Sequence, residues 1–131
     1  MAGKSDYLEN LLLNHMLRNT ANTPPVTVYV ALYSVAPTDA GGGTEVSGGG
    51  YARQSVAFDA AAAGATQNTS LITFPQATAD WAAGANLTNF GIFDAVTAGN
   101  LLYWGALTVA KPVLNGDTAK FPIADIDISE D

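Results

Sequence analysis

The chain has no cysteine and only one histidine, His15. Disulfides, thiol nucleophiles and cysteine-bound zinc are therefore absent from its chemistry, and one imidazole supplies Ser-His triads and histidine metal sites poorly. Charge is scarce too, at 13% of residues, about half the usual share. The five basic residues, Lys4, Arg18, Arg53, Lys111 and Lys120, are scattered, and twelve acidic ones bring the net charge to −7. Binding phosphate backbones requires clustered cations, so no nucleic-acid partner is expected. There is no long apolar run either. The stretch 8–17 is interrupted by Glu9, Asn10, Asn14 and His15, which fits neither a signal peptide nor a membrane span. A soluble protein folded in a cytoplasm, with no membrane partner, is the expectation.

Apolar residues are abundant, 48% of 131, enough for one domain, 1–131, with a real core. A surface so poor in charge also suggests burial against neighbours.

Glycine is concentrated in "TDAGGGTEVSGGGYARQ", residues 38–54, with six glycines in the ten residues 41–50. A phosphate-binding loop needs a lysine and a hydroxyl after its second glycine. Gly43 and Gly48 have that spacing, but Gly49 and Gly50 follow, and Val46 breaks the dinucleotide fingerprint. The next segment, 51–58, reads as a strand, so no helix N-terminus would face an anion. The loop is expected to be a long mobile connection that uses glycine for its φ freedom. Tyr51 and Arg53 follow it directly. Arg53 either anchors loop carbonyls, faces a partner or lies in solvent.

Residues 5–18, "SDYLENLLLNHMLR", form the one convincing helix: Ser5 caps it, Asp6 and Glu9 suit its positive end and Arg18 its negative end. Tyr7, Leu8, Leu11, Leu12, Leu13 and Met16 cover a wider arc than one buried stripe requires. The helix is therefore either sandwiched within the fold or in contact with a second subunit. From 26 onward the period becomes two. "VTVYVALY" is apolar on both faces and reads as a central strand. Further strands are expected at 51–58, 69–74, 87–93 and 100–108, with a turn at Gly99-Asn100. Asn115-Gly116 predicts a hairpin joining 107–114 to 118–128, and the phase change from Phe121 and Ile123 to Ile126 and Ile128 calls for a bulge near Ala124-Asp125. Short strands without alternating helices define a mainly β class: an antiparallel, jelly-roll-like β-sandwich over 26–128 with one N-terminal α-helix.

No catalytic constellation emerges. His15 lies on the apolar side of the helix and reads as a hydrogen-bonded structural residue. Asp125 and Asp127 share a strand face and read as a solvated strand end, the alternative being a weak Ca²⁺ site. Tyr29, Tyr33, Trp81, Tyr103 and Trp104 either form a sugar-stacking platform or, on the plainer reading, fill a core or an interface. No catalytic, cofactor-binding or metal residue is assigned. The triplets at Asn68 and Asn86 carry little meaning without a secretory signal.

Taken in order, "SDYLENLLLNHMLRNT", "TPPVTVYVALYSVAPTDAGGGTEVSGGGYARQ", "ITFPQATADW", "FGIFDA" and "LLYWGAL" resemble a family of small tailed-bacteriophage virion proteins commonly labelled phage tail fibre proteins. The likeness spans roughly residues 5–128 and departs at "AAGANLTN", which looks slightly longer here. It implies a non-enzymatic structural protein without cofactor or metal, located in the virion and assembled in the host cytoplasm. The chain has neither the heptads nor the β-helical repeat of a fibre shaft. An accessory module is expected instead, docked on the capsid (decoration or cement) or attached to the tail or tail fibre. Its partners would be other virion proteins, and it would be a homo-oligomer. A receptor- or carbohydrate-binding β-sandwich is the alternative. The candidate interface residues are Leu8, Leu12, Leu13 and Met16 on the helix, with Tyr51 and Arg53 after the glycine loop.

Overall fold

The computed structural model describes residues 2–130. The protein is mainly β, with antiparallel sheets and a single α-helix near its N-terminus. After a short strand β1 (Ala2–Lys4) comes helix α1 (Asp6–Leu17). Its N-cap is Ser5, whose hydroxyl accepts from the backbone N–H of Leu8 at 3.2 Å and donates to the carbonyl of Leu101, while the Ser5 N–H bonds Leu102. The cap residue thus starts the helix and fastens it to the sheet. Ser5 is buried for that reason.

The main sheet has six strands. β2 (Val28–Val35) is central, β7 (Leu87–Phe93) pairs with it along one edge, and β8 (Leu101–Lys111) pairs with β7. β1 closes the far side through Ala2↔Gly105 to Lys4↔Tyr103. The other edge of β2 is shared by β3 (Thr44–Glu45) and β4 (Gln54–Val56), which the glycine-rich connection places one after the other. Two short ladders form the opposing layer. One pairs β5 (Ala65–Gln67) with β10 (Asp127–Ser129), the other β6 (Ile72–Thr73) with β9 (Lys120–Phe121).

The alternation of β2 divides the apolar residues between the two faces of the sheet. Val30 and Leu32, with Phe90 and Ile92 of β7, face the ladders, where Ile72, Phe74, Trp81, Phe121, Ile126 and Ile128 complete the larger core. Ala31, Tyr33, Phe93 and Leu101 form a smaller cluster on the reverse face, with Trp104 at its margin. In the larger core Tyr51 stacks on Phe74 with centroids 6.1 Å apart and meets Trp81 edge-on at 5.4 Å. Asn68, fully buried, ties the layers' ends: its amide donates to the carbonyls of Ser70 and Pro122, and its oxygen accepts from the Ile126 N–H.

Most expected elements are present, several of them shorter than expected. The helix, the central β2, the strand 87–93 and the turn at Gly99-Asn100 all form. The hairpin at Asn115-Gly116 does not. A turn closes there, with the Asp117 N–H on the Leu114 carbonyl at 2.9 Å, but β9 pairs with β6 rather than with β8. Only Gly116 of the two turn residues takes a positive φ, so the two-residue mirror-image turn of a tight hairpin is not made. The change of phase near Ala124 is likewise a turn and not a bulge: Ala124 has φ 63, and the Asp125 N–H reaches the Pro122 carbonyl.

Candidate functional site

The glycine-rich connection is tied down along its length. Thr38 and Gly41 exchange both backbone hydrogen bonds, Val46 is buried with its N–H on Leu32, and the Gly49 carbonyl accepts from Thr78 and from the Trp81 indole. Two of its glycines are required by close approach. A Cβ on Gly43 would lie 2.7 Å from the Val35 carbonyl oxygen, and one on Gly49 would lie 2.8 Å from Trp81. Gly43 and Gly49 shape the backbone around the core, whereas Gly41, Gly42 and Gly48 stand in open space with positive φ, the conformational freedom expected of them.

Arg53 and Glu45 form the polar centre of the region. The guanidinium donates from Nε and Nη2 to the two carboxylate oxygens, each at 2.8 Å. Nη1 donates to the carbonyls of Ala95 and Ala98, and the group lies 3.6 Å from the centroid of the Phe93 ring. Burial works against the charge of Arg53, but the hydrogen bonds and charge of Glu45 outweigh it and raise its pKa above the ordinary value. Arg53 thus anchors the turn before β8; it neither lies free in solvent nor bonds the glycine loop's own carbonyls. The Tyr51 hydroxyl joins the centre by donating to Glu45 at 2.7 Å while accepting from the Leu32 N–H. Burial, and after it the neighbouring carboxylate, raise the pKa of Tyr51, so the phenol stays neutral.

Above this pair opens a cleft of about 580 Å³. Ser5, Asp6 and Tyr7 line one side, Asp39 to Gly43 another, and Ala98 to Asn100 a third, with Tyr33 and Phe93 below. The Asp6 N–H bonds the Asp39 carbonyl at 2.8 Å, setting the two acidic residues side by side on the rim. Asp39 also accepts from the Trp104 indole at 2.9 Å. Burial, with the charge of Glu45 adding to it, pushes the Tyr33 hydroxyl up to about 12.

Outside the cleft, α1 contains no buried residue. Leu8 and Leu12 are half-buried and border a crevice closed by residues 22–25 and Leu102. Leu13, Met16 and Leu17 point outward, 55%, 72% and 77% exposed. The helix is therefore not sandwiched within the fold. Of the six candidate interface residues, the four on α1 share one element, whereas Tyr51 packs in the core and Arg53 is held in the ion pair; the structure does not bring the two groups together. His15 is exposed, with Nδ1 2.9 Å from the Thr20 carbonyl. Trp81 and Tyr33 are buried, so the five aromatic residues considered for a sugar platform do not form one exposed surface. Asp125 and Asp127 are both exposed, but only Asp127 lies in β10, whereas Asp125 belongs to the turn before it, so the expected shared strand face is not made.

The fold defines the class: a mainly antiparallel β protein with one cap-fastened helix. Residues 3–129 match the family described as Podophage GP4 fiber I protein gp80. The match covers nearly the whole chain, and the chain belongs to that phage fibre family. No curated protein matches it.

Proposed function

We propose that this chain is a non-enzymatic structural module of a tailed-phage virion, present in several copies and attached to the tail or tail fibre through the outer face of α1. One observation carries the reading. Leu13, Met16 and Leu17 form a run of large apolar side chains, each more than half exposed, on a helix whose other flank is already engaged with the fold. Apolar surface gathered in this way marks contact sites more often than chance exposure. The family's fibre description supports a location at the tail fibre over capsid decoration. The absence of one exposed aromatic surface among the five candidates weighs against a free carbohydrate-binding module.

The test compares the parent with Leu13→Glu and Met16→Glu by light scattering and by incorporation into purified virions. Both variants should lose oligomer mass and incorporation while keeping the parent's melting temperature. A parent that stays monomeric at high concentration and is missing from virions would overturn the proposal.

A further inference from the structure

The hairpin that Asn115-Gly116 does not close leaves two strands apart, β8 and β9. Across the step from Asn89↔Ala106 to Leu87↔Lys111, β8 uses residues 107–110 where β7 uses Thr88 alone. Residues 107–110 therefore have no register partner on β7, and on the other edge of β8 the pairing with β1 ends at Gly105. β9 pairs with β6 and, among the described residues, with no other strand. Between the two strands lies a slot of about 420 Å³, walled by 107–109 and Lys111 on one side and by 119–122 on the other. Leu32, Leu87, Val113 and Phe121, buried residues of the larger core, line it. Val109 on its wall is 65% exposed. Strand edges without partners pair readily with another extended segment, whose alternate side chains then settle on the apolar surface beneath. Residues 107–110 leave room for a segment of about five residues, at about 3.4 Å per residue.

The charges around the slot indicate what that segment carries. Of the five basic residues, Lys4 is held by Glu130, Arg53 by Glu45, and Arg18 donates to Asn14. The ammonium groups of Lys111 and Lys120 have no partner among the described residues, and both border this slot. Asp125 borders it as well, so two cations stand against one carboxylate, a locally positive spot on a chain of net charge −7. Lysine at an open edge deters pairing between identical edges, which weighs against a second copy as the occupant. A carboxylate on the incoming strand turns the same charges into attraction. We propose that the slot between β8 and β9 receives an extended segment of a neighbouring virion protein, with apolar side chains on the core residues that line it and a carboxylate at Lys111 and Lys120. The virion source rests on the reading of the chain as a docked structural module; the slot is a second contact, separate from α1.

An amide-resolved NMR titration with acetyl-Thr-Val-Glu-Val-Thr-amide tests it. Two control peptides carry glutamine in place of glutamate, or N-methylvaline in place of both valines. The glutamate peptide should shift the amides of residues 107–111 and 119–121 saturably and slow hydrogen exchange at 107–110. The glutamine peptide should bind at least about threefold more weakly, a difference that shrinks at higher salt. The N-methylated peptide, deprived of strand donors, should bind about tenfold more weakly. Lys111→Gln with Lys120→Gln should reduce binding of the glutamate peptide to the level of the glutamine peptide, while the melting temperature and oligomer mass stay at the parent's values. No saturable shift, equal binding of either control peptide, or indifference to the paired Lys variants would each overturn the proposal. Loss of oligomer mass in the paired Lys variants would assign the slot to a second copy and overturn it too. None of these outcomes touches the α1 docking face, which is read through Leu13→Glu and Met16→Glu.

Discussion

The two faces of the central sheet are built from the same strands yet differ in kind. Toward the ladders, Val30, Leu32, Phe90 and Ile92 meet a continuous apolar layer that includes Trp81 and Phe74, both essentially inaccessible. Toward the reverse face, Ala31, Tyr33, Phe93 and Leu101 make a small cluster, and an ion pair, a cleft and a helix with no buried residue lie around it. The first arrangement maximises buried area, the dominant favourable contribution to folding. The second leaves polar and apolar groups available. On the reading proposed for α1, stability and contact with partners are divided between opposite sides of one sheet, and perturbations on each side should have different readouts.

The largest loss should come from Trp81→Ala. The indole is fully buried, and its N–H holds the Gly49 carbonyl at 2.8 Å. Truncating a buried tryptophan costs about 3–5 kcal/mol, a large share of a typical domain's total of about 5–15 kcal/mol. Chemical denaturation should show this as a lowered midpoint. An unchanged midpoint would mean that the ladder side is not where stability resides.

Next in size is the ion pair. Arg53→Met should destabilise by about 3 kcal/mol, because breaking a buried pair leaves a carboxylate without its counter-charge and two carbonyls without their donor. The Arg53 side chain is 8% exposed and that of Glu45 25%, which places the cost at the lower end for such pairs. The double variant Arg53→Met, Glu45→Gln should lose less than the sum of its parts. Strict additivity in a double-mutant cycle would show that the two do not act as a unit.

Alkaline titration should separate the faces more gently. Tyr33 is pushed up to about 12, and Tyr51 and Tyr103 are raised as well, in each case by burial first and then by a carboxylate's charge or hydrogen bond. A group whose pKa is higher in the folded state contributes stability that is complete below its unfolded value, about 10 for tyrosine. That contribution is lost as pH rises through the folded value. The melting temperature should therefore be insensitive to these groups below about pH 10 and fall steadily above it. Tyr33→Phe should make the fall shallower; an identical slope would contradict the raised pKa.

The legibility of these faces from sequence follows the range of the interactions. The cap at Ser5, the helix and the turn at Gly99-Asn100 rest on contacts between near neighbours, and residue order displays them. The hairpin at Asn115-Gly116 failed because Phe121 pairs with Ile72, across a separation no turn residue reveals. Arg53 is decided by Ala95 and Ala98, more than forty residues away. Asn68, noted only for its triplet, holds Pro122 and Ile126 through a fully buried amide. The cleft was invisible for the same reason: Asp6, Tyr33, Asp39 and Asn100 come from four separate segments.

The smallest effect on stability should come from the residue with the largest consequence for assembly. Leu13 is 55% exposed, on the flank of α1 turned away from the sheet, whereas Leu12, one position earlier, is half-buried against the segment 22–25. A charge at Leu13 stays in water, so Leu13→Glu should change folding stability by no more than about 0.5 kcal/mol. Leu12→Glu pushes a carboxylate toward an apolar crevice and should cost more, yet less than a core substitution, because the site is only half closed. In assembly the order reverses. A carboxylate placed on the outer face must be desolvated when a partner covers it, so Leu13→Glu should abolish the oligomer under conditions in which Leu12→Glu, still folded, retains part of it. Thermal melts paired with light scattering give both quantities from one preparation. If the two variants lose assembly in proportion to their loss of stability, the outer face of α1 has no role of its own, and the contacts that build the virion lie elsewhere on the protein.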